Sequence, residues 1–147
     1  MRIAVIVYHS NAESIYPIQW IQDCVKSIYN QTYRNFDVIE LNYGEGAKQY
    51  TKGEFHKILM RNHIEAMNYL IDLCFASGYD AVANTNIDDT YDSSRIEVQM
   101  DAIKQGYQLV SSNFRYIGGK SMLMSFKGDI GANLAVNHNV IAHPCGS

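Results

Sequence analysis

Short apolar runs alternate with amphipathic helical segments through the first 112 residues, and this alternation constrains the fold more than any other feature. A strand buried on both faces of a sheet is a continuous apolar run, whereas a helix that packs on a sheet repeats its apolar residues every three or four positions. Because strands joined by helices pair in parallel through right-handed crossovers, the pattern predicts an α/β fold with a mostly parallel, Rossmann-like sheet of order 3-2-1-4, flanked by helices. The predicted strands are Ile3–Val7, Phe36–Leu41, Tyr79–Thr85 and Tyr107–Ser112.

The segments between these strands predict three helices. The first begins at Pro17, whose missing N–H group costs nothing in the first turn of a helix, and the second is predicted over 54–76, with Gly78 just after its end. After Asn113 the pattern weakens, and only two short strands are predicted, Met122–Phe126 and Val140–Ala142. The apolar faces of the three helices consist of Ile18, Ile21, Val25 and Ile28; of Phe55, Ile58, Leu59, Met67, Leu70, Ile71 and Cys74; and of Ile96, Met100 and Ile103.

The composition is that of one globular domain, 1–147, without a membrane span. The chain has 147 residues, of which 47% are hydrophobic, and its formal charge of -3 without a basic run argues against a nucleic-acid surface. No apolar stretch approaches the roughly 20 residues of a membrane span, and the N-terminal apolar run is too short for a signal peptide. Cys24 and Cys74 fall on apolar helix faces, which predicts reduced core cysteines in a cytoplasmic protein. The composition leaves open whether the chain forms a homo-oligomer.

Polar residues follow three of the predicted strands, and parallel strands end at the same edge of a sheet, where ligands bind. These residues are Tyr8, His9 and Ser10; Asn42 and its neighbours up to Gly46; and the run Asn86-Ile-Asp-Asp89. Adjacent carboxylates at the end of a buried strand repel each other and lose solvation unless a cation or hydrogen-bond donors offset the cost. Asp88 and Asp89 therefore indicate a functional site for a cation. The alternative is that Asp89 and Asp92 only shape a turn and cap the next helix.

Several other nucleotide sites and a hydrolase site are disfavoured by missing motifs. The turn after the first strand contains no glycine, which a dinucleotide fingerprint needs there, and no Gly-Lys-Ser/Thr sequence opens a helix as in a P-loop. No nucleophile elbow is present either. If phosphates bind to this chain, a metal ion held by carboxylates must neutralise them.

The order of three short motifs resembles that of the family-two-like inverting glycosyltransferases, which have a glycosyltransferase A-type fold. The first is the run from Ser27 to Phe36, Ser-Ile-Tyr-Asn-Gln-Thr-Tyr-Arg-Asn-Phe, which leads into the second strand; the second is the pair Arg61-Asn62; and the third is the acidic run Asn86-Ile-Asp-Asp89 with the helix after it. The resemblance covers residues 1–112. It implies transfer of a sugar, dependent on Mn²⁺ or Mg²⁺, from a nucleoside-diphosphate sugar, with UDP-sugars favoured, to a glycan or another hydroxyl acceptor.

The resemblance also implies roles for single residues. Asp88 would hold the ribose or the metal ion, and Asp89 would be the other carboxylate on the metal. Asn42 and Asn86 stand where relatives often have aspartate, so metal affinity is expected to be low. The predicted nucleotide-binding residues are Tyr8, His9, Ser10, Asn42, Arg61, Asn62, Asn86 and Asp88, and the predicted metal ligands are Asp88, Asp89 and His143.

Three of these assignments have simpler alternatives. Asn62 would interrupt the apolar face of the predicted second helix, and its amide could be bonded only for structure. Arg61 beside it could be an ordinary exposed arginine. Glu40 alternates with Leu41 on the second strand and is expected to face solvent.

Complete members of the family carry a second part that binds the acceptor and supplies a catalytic base. No base is recognisable after residue 112, so the chain is expected to be the nucleotide-sugar-binding half, with its catalytic residue unassigned. Two other functions stay open. One is a nucleotide-sugar-binding module without efficient catalysis, and the other is an unrelated α/β nucleotidyltransferase with two metal ions.

Overall fold

The computed structural model of the protein describes residues 1–112, 114–115 and 123–124. The predicted strand Val140–Ala142 and the predicted metal ligand His143 lie outside these residues. The described elements are β1 (Ile3–His9), a 3₁₀ turn (Ala12–Ser14), α1 (Ile18–Tyr29), β2 (Phe36–Asn42), β3 (Glu54–Lys57), α2 (His63–Ala76), β4 (Ala81–Asn86), α3 (Arg95–Lys104), β5 (Phe114–Arg115) and β6 (Leu123–Met124).

Four of these strands form an all-parallel sheet in the order β3-β2-β1-β4, which confirms the predicted α/β fold and the strand order 3-2-1-4. Strand β3 is Glu54–Lys57, which the sequence pattern had assigned to the second helix. The predicted strand at Tyr79–Thr85 is β4 and pairs with β1 instead of with β2. Two residues of the predicted strand Met122–Phe126 form β6, which pairs with β5 in antiparallel.

Helix α2 begins nine residues later than predicted, at His63, because the residue before it is an N-cap. The side chain of Asn62 accepts hydrogen bonds from the main-chain N–H groups of Ile64 and Glu65, which have no partner inside the helix. At the other end, Gly78 has φ +80°, a conformation that ends the helix as predicted. The residues before Asn62 are thereby free to extend along β2.

The segment 107–112 does not form the predicted fourth strand, and Ser111 makes only an isolated bridge. The outer edge of β4 is already occupied near its carboxyl end, because Arg95 donates to the C=O of Asn84 at 2.7 Å and the Tyr91 hydroxyl accepts the N–H of Asn86 at 2.7 Å. Side chains therefore fill positions where a fifth strand would bond.

The core has two layers, one on each face of the sheet, and β1 is buried along its whole length as its apolar run predicts. Cys24 on α1 and Cys74 on α2 are buried and free, which confirms their predicted place in the core. In the described part of the chain, no helix has both the length and the apolar character that crossing a bilayer requires. On one face, Ile3, Val5, Val7 and Val38 pack against Ile21, Cys24, Ile28, Ile96 and Met100; on the other, Ala4, Ile6, Tyr8, Ile39 and Leu41 pack against Ala66, Leu70 and Cys74.

Candidate functional site

The ends of β1, β2 and β4 lie side by side at the carboxyl edge of the sheet. His9 is paired in register with Asn42, and Tyr8 is paired with Asn86. The three polar segments that were expected to converge are therefore neighbours, and the carboxylate pair follows directly after β4.

Asp88 and Asp89 sit in a turn after β4, in which the N–H of Asp89 faces the C=O of Asn86 at 3.5 Å. Both residues are half-buried. Burial raises the pKa of the Asp89 carboxyl group and the charge of Asp88 raises it further, while a hydrogen bond from Asn86 and the charge of Arg95 oppose the shift. The two carboxylates are thus close enough to repel each other, which favours a bound cation.

The turn is held in place by side chains that bond the main chain of Asn86. The Cys24 thiol and the Tyr91 hydroxyl both donate to its C=O, at 3.1 Å each, and the Arg95 guanidinium lies 4.5 Å from the centre of the Tyr91 ring. Burial is the main reason why the pKa values of Cys24 and Tyr91 are raised. Both groups therefore stay protonated and remain donors at neutral pH.

Two tyrosines at this edge were not among the predicted ligand residues: Tyr16 was missed, and Tyr43 was included only as part of the segment that follows the second strand. Tyr16 follows the 3₁₀ turn and packs on the buried cluster that contains Ala12 and Ile87. Burial raises the pKa of Tyr16, and the charges of Asp88, Tyr43 and Asp89 raise it further. The pKa of Tyr43 is raised by burial. Tyrosine has no motif spacing, and only the position of Tyr43 directly after β2 could have indicated it.

His9 is buried, and hydrogen bonds occupy both of its ring nitrogens. Nε2 lies 3.0 Å from Oε1 of Glu40, and Nδ1 accepts the N–H of Ala12 at 3.4 Å, which fixes the proton on Nε2. The ring is therefore turned inward, away from any ligand at the edge. Glu40, which was expected to face solvent, is fully buried beneath the loop 43–53.

Asn42 is also fully buried, and its amide is used inside the protein. Its Oδ1 accepts the N–H groups of Asn11 at 3.3 Å and Gly44 at 3.0 Å, and its Nδ2 faces the C=O of Lys48 at 3.4 Å. Ser10 lies against Gly44, where an added Cβ would come within 2.6 Å of the serine Oγ. Of the predicted residues at the ends of β1 and β2, Ser10 is the one that stays half-exposed.

Arg61 and Asn62 lie at the start of α2, and their contacts are local. Arg61 is exposed and its Nε donates to Glu65 at 2.7 Å, a contact that raises the pKa of the arginine. Asn62 is the N-cap and does not interrupt a helix face. The contacts of both residues therefore match the simpler alternatives: Asn62 is bonded for structure, and Arg61 is an ordinary exposed arginine.

The described residues contain no group of three or more His, Cys, Asp or Glu side chains placed to hold a metal ion. Asp88 and Asp89 supply two carboxylates, which suits an ion such as Mg²⁺ whose other ligands are waters and substrate phosphates. A cavity of about 790 Å³ lies elsewhere, along the outer edge of β4 between Met67, Ile71 and Phe75 of α2 and Met100 of α3. Among the residues that the structure describes, none of the predicted ligand residues lines this cavity.

The sequence matches no model of a known protein family and none of the curated proteins.

Proposed function

We propose that the protein is a family-two-like glycosyltransferase domain that binds a nucleoside-diphosphate sugar, with UDP-sugars favoured, through Mn²⁺ or Mg²⁺ at Asp88 and Asp89. The observation that carries this proposal is the place of the two carboxylates, adjacent and half-buried at the carboxyl edge of a parallel sheet. Ligands of such sheets bind at this edge. The motifs within residues 1–112 supply the ligand class.

The charges at the edge support a ligand that arrives with a cation. Burial and, after it, the charge of Asp88 raise the pKa of Asp89, and a divalent ion would relieve the repulsion between the two carboxylates. When bound, the ion would neutralise the charge that develops on the leaving diphosphate. The phenols of Tyr16 and Tyr43 have raised pKa values and stay neutral, so they can donate hydrogen bonds to oxygens of the nucleotide or sugar.

A nucleotide-sugar-binding module without efficient catalysis is the second candidate. Transfer to a glycan or another hydroxyl acceptor needs a base near that hydroxyl. Phenols with raised pKa values are poor bases at neutral pH, and His9 is buried with both nitrogens bonded. We therefore expect the 147-residue chain to hydrolyse UDP-sugars slowly at most. Rapid transfer to a defined acceptor by the purified chain would contradict the module and favour the complete enzyme.

Isothermal titration calorimetry tests the binding site. UDP, GDP and their sugars are titrated with and without Mn²⁺ into the wild type, Asp88→Asn and Asp89→Asn. Asp92→Asn is the matched control, because Asp92 is exposed and its Oδ1 accepts from the N–H of Ser94 at 2.9 Å, a bond that asparagine keeps. We expect Mn²⁺-dependent binding to be lost in the first two variants and kept in the control. Equal binding by all four proteins would refute the site.

A further inference from the structure

Two segments beside the proposed site follow different strands of the sheet. The turn segment, residues 10–16, follows β1 and carries Ser10 and Tyr16. The β2–β3 loop, residues 43–53, begins with Tyr43. Neither segment is part of the sheet. They contact each other directly, since the N–H of Gly46 donates to Oδ1 of Asn11 at 2.7 Å, and side chains below them supply further contacts.

The carboxylate of Glu40 contacts the β2–β3 loop directly and reaches the turn segment through His9, the last residue of β1. Its Oε1 accepts the N–H of Tyr50 at 2.8 Å and lies 3.0 Å from Nε2 of His9, and its Oε2 accepts the N–H of Thr51 at 2.7 Å. Glu40 is 0% exposed. Burial by itself raises the pKa of this carboxyl group, but the hydrogen bonds from His9, Thr51 and Tyr50 outweigh it and lower the pKa. The group is therefore a buried anion that these donors stabilise.

The contacts continue from Glu40 toward the site. His9 accepts the N–H of Ala12 on Nδ1, and the C=O of Ala12 accepts the N–H of Tyr16 at 2.8 Å. On the loop side, the ring of Tyr50 packs edge-on against His9, with 5.0 Å between ring centres, and its hydroxyl accepts the N–H of Glu13 at 3.3 Å. A displacement of the loop is thus passed to the turn segment.

We infer that Glu40 is a positioning residue for the proposed ligand site, one that fixes the turn segment and the β2–β3 loop relative to each other so that Tyr16 and Tyr43 face the same ligand. This inference rests on the proposed function. Asp88 and Asp89 stand apart from this support, because they follow β4 and are held through Asn86 by Tyr91 and Cys24. Glu40 therefore acts on the nucleotide and not on the metal ion.

The test compares Glu40→Gln with the wild type, with Glu54→Gln as the matched control. Glutamine has the same shape but no charge and only one acceptor oxygen, so it cannot serve all the donors around Glu40. Glu54 is exposed on the edge strand β3, where it contacts His56. Calorimetry measures the dissociation constants of UDP with Mn²⁺ and of Mn²⁺ alone, and hydrogen exchange follows the amides of Tyr50 and Thr51.

For Glu40→Gln we expect a roughly tenfold weaker affinity for UDP, as displaced ligand-positioning groups produce, faster exchange at both amides, and unchanged affinity for Mn²⁺ alone. Glu54→Gln should match the wild type in all three. Faster exchange with unchanged UDP affinity would reduce Glu40 to a structural role and overturn the inference. Equal weakening of UDP and Mn²⁺ would also overturn it, since the effect would then be global.

The wild-type titration separates the two proposals. If the wild type binds UDP with Mn²⁺, the proposed function stands and the variants decide on Glu40 alone; if it binds no nucleotide, both proposals fail. Should Glu40→Gln not fold, Thr51→Val replaces it, because it removes only the Thr51 hydroxyl group that bonds Glu40. The same split, with weaker UDP binding and unchanged Mn²⁺ binding, is then required, and its absence would overturn the inference.

Discussion

At the end of β4, the hydroxyl group of Tyr91 makes the main-chain hydrogen bonds that a neighbouring strand would otherwise make. It accepts the N–H of Asn86 at 2.7 Å and donates to the C=O of the same residue at 3.1 Å. One oxygen atom thus satisfies two main-chain groups that would be costly to leave unpaired in a buried position. The turn that carries Asp88 and Asp89 depends on this contact.

Replacing Tyr91 by phenylalanine should therefore lower the free energy of unfolding by about 1–3 kcal/mol, because the N–H group of Asn86 loses its partner, while its C=O group keeps the thiol of Cys24. Urea unfolding of Tyr91→Phe and the wild type measures the difference. Tyr107→Phe is the control, since Tyr107 is 62% exposed and should lose nothing. Equal unfolding midpoints for all three proteins would contradict this account of the turn.

Asn86→Asp should strengthen the binding of Mn²⁺ and weaken the metal-free protein. A third carboxylate would face the same ion, but without the ion it would repel Asp89 and lose the hydrogen bond that the amide donates to it. Metal titration and thermal unfolding without metal measure the two effects, with the exposed Asn68→Asp as control. Unchanged Mn²⁺ affinity would mean that residue 86 faces away from the ion.

Glu40 should make the stability of the protein depend on pH in the acid range. Its pKa is lower in the folded protein than the ordinary value of 4.5, so the stabilisation it provides is fully present above about pH 4.5 and is lost as the pH falls through the folded value. The difference in unfolding free energy between the wild type and Glu40→Gln should therefore shrink on acidification. A difference that is constant from pH 7 to the acid limit of folding would show that Glu40 is not ionised in the folded state.

The carboxylate pair could be predicted from the sequence, whereas the support that Glu40 gives to the turn segment and the β2–β3 loop could not. Asp88 and Asp89 are adjacent and follow an apolar run, so local order was sufficient. His9 and Glu40 are 31 positions apart, and Glu40 was assigned to solvent because nothing in the strand indicates that the β2–β3 loop covers it. A contact that depends on the path of a loop has no local pattern.

At the scale of single elements, two signals in the segment 54–62 predict different starting points for α2: the apolar spacing and the N-cap. Phe55, Ile58 and Leu59 fit the period of a helix, and this spacing predicted that α2 includes them. The pattern Asn62-His-Ile-Glu65 is that of a capping box, and it correctly marks the helix start. The N-cap signal was present in the sequence and carried more information than the apolar spacing.

The β2–β3 loop approaches β2 so closely that only glycine fits at position 53. A Cβ atom there would lie 2.0 Å from the main-chain oxygen of Val38, which cannot move without distorting the sheet. Gly53→Ala should therefore lower the free energy of unfolding by about 1–3 kcal/mol, the usual range for overpacking, and speed hydrogen exchange at Tyr50 and Thr51. Urea unfolding and exchange measurements check both effects, and a variant as stable as the wild type would mean that the loop lies farther from β2.

For the whole molecule, the alternation of strands and helices was sufficient to predict the parallel sheet and the convergence of three strand ends. It could not predict which residues at that edge stay available to a ligand. Asn42 and His9 are occupied by internal hydrogen bonds, whereas Tyr16 and Tyr43 stay half-exposed. The central claim is that a cation and a nucleotide meet at this edge, between the carboxylates and the two phenols.

Paramagnetic line broadening by Mn²⁺ tests this claim most directly, because it reports where the ion binds. Spectra of the ¹⁵N-labelled protein are recorded with Mn²⁺ alone, with UDP alone and with both. We predict that Mn²⁺ broadens the amide resonances of Asp88 and Asp89 first, and that UDP strengthens this effect and extends it to Ser10, Tyr16 and Tyr43. Broadening centred elsewhere in the chain, or the absence of any change when UDP is added, would contradict the account.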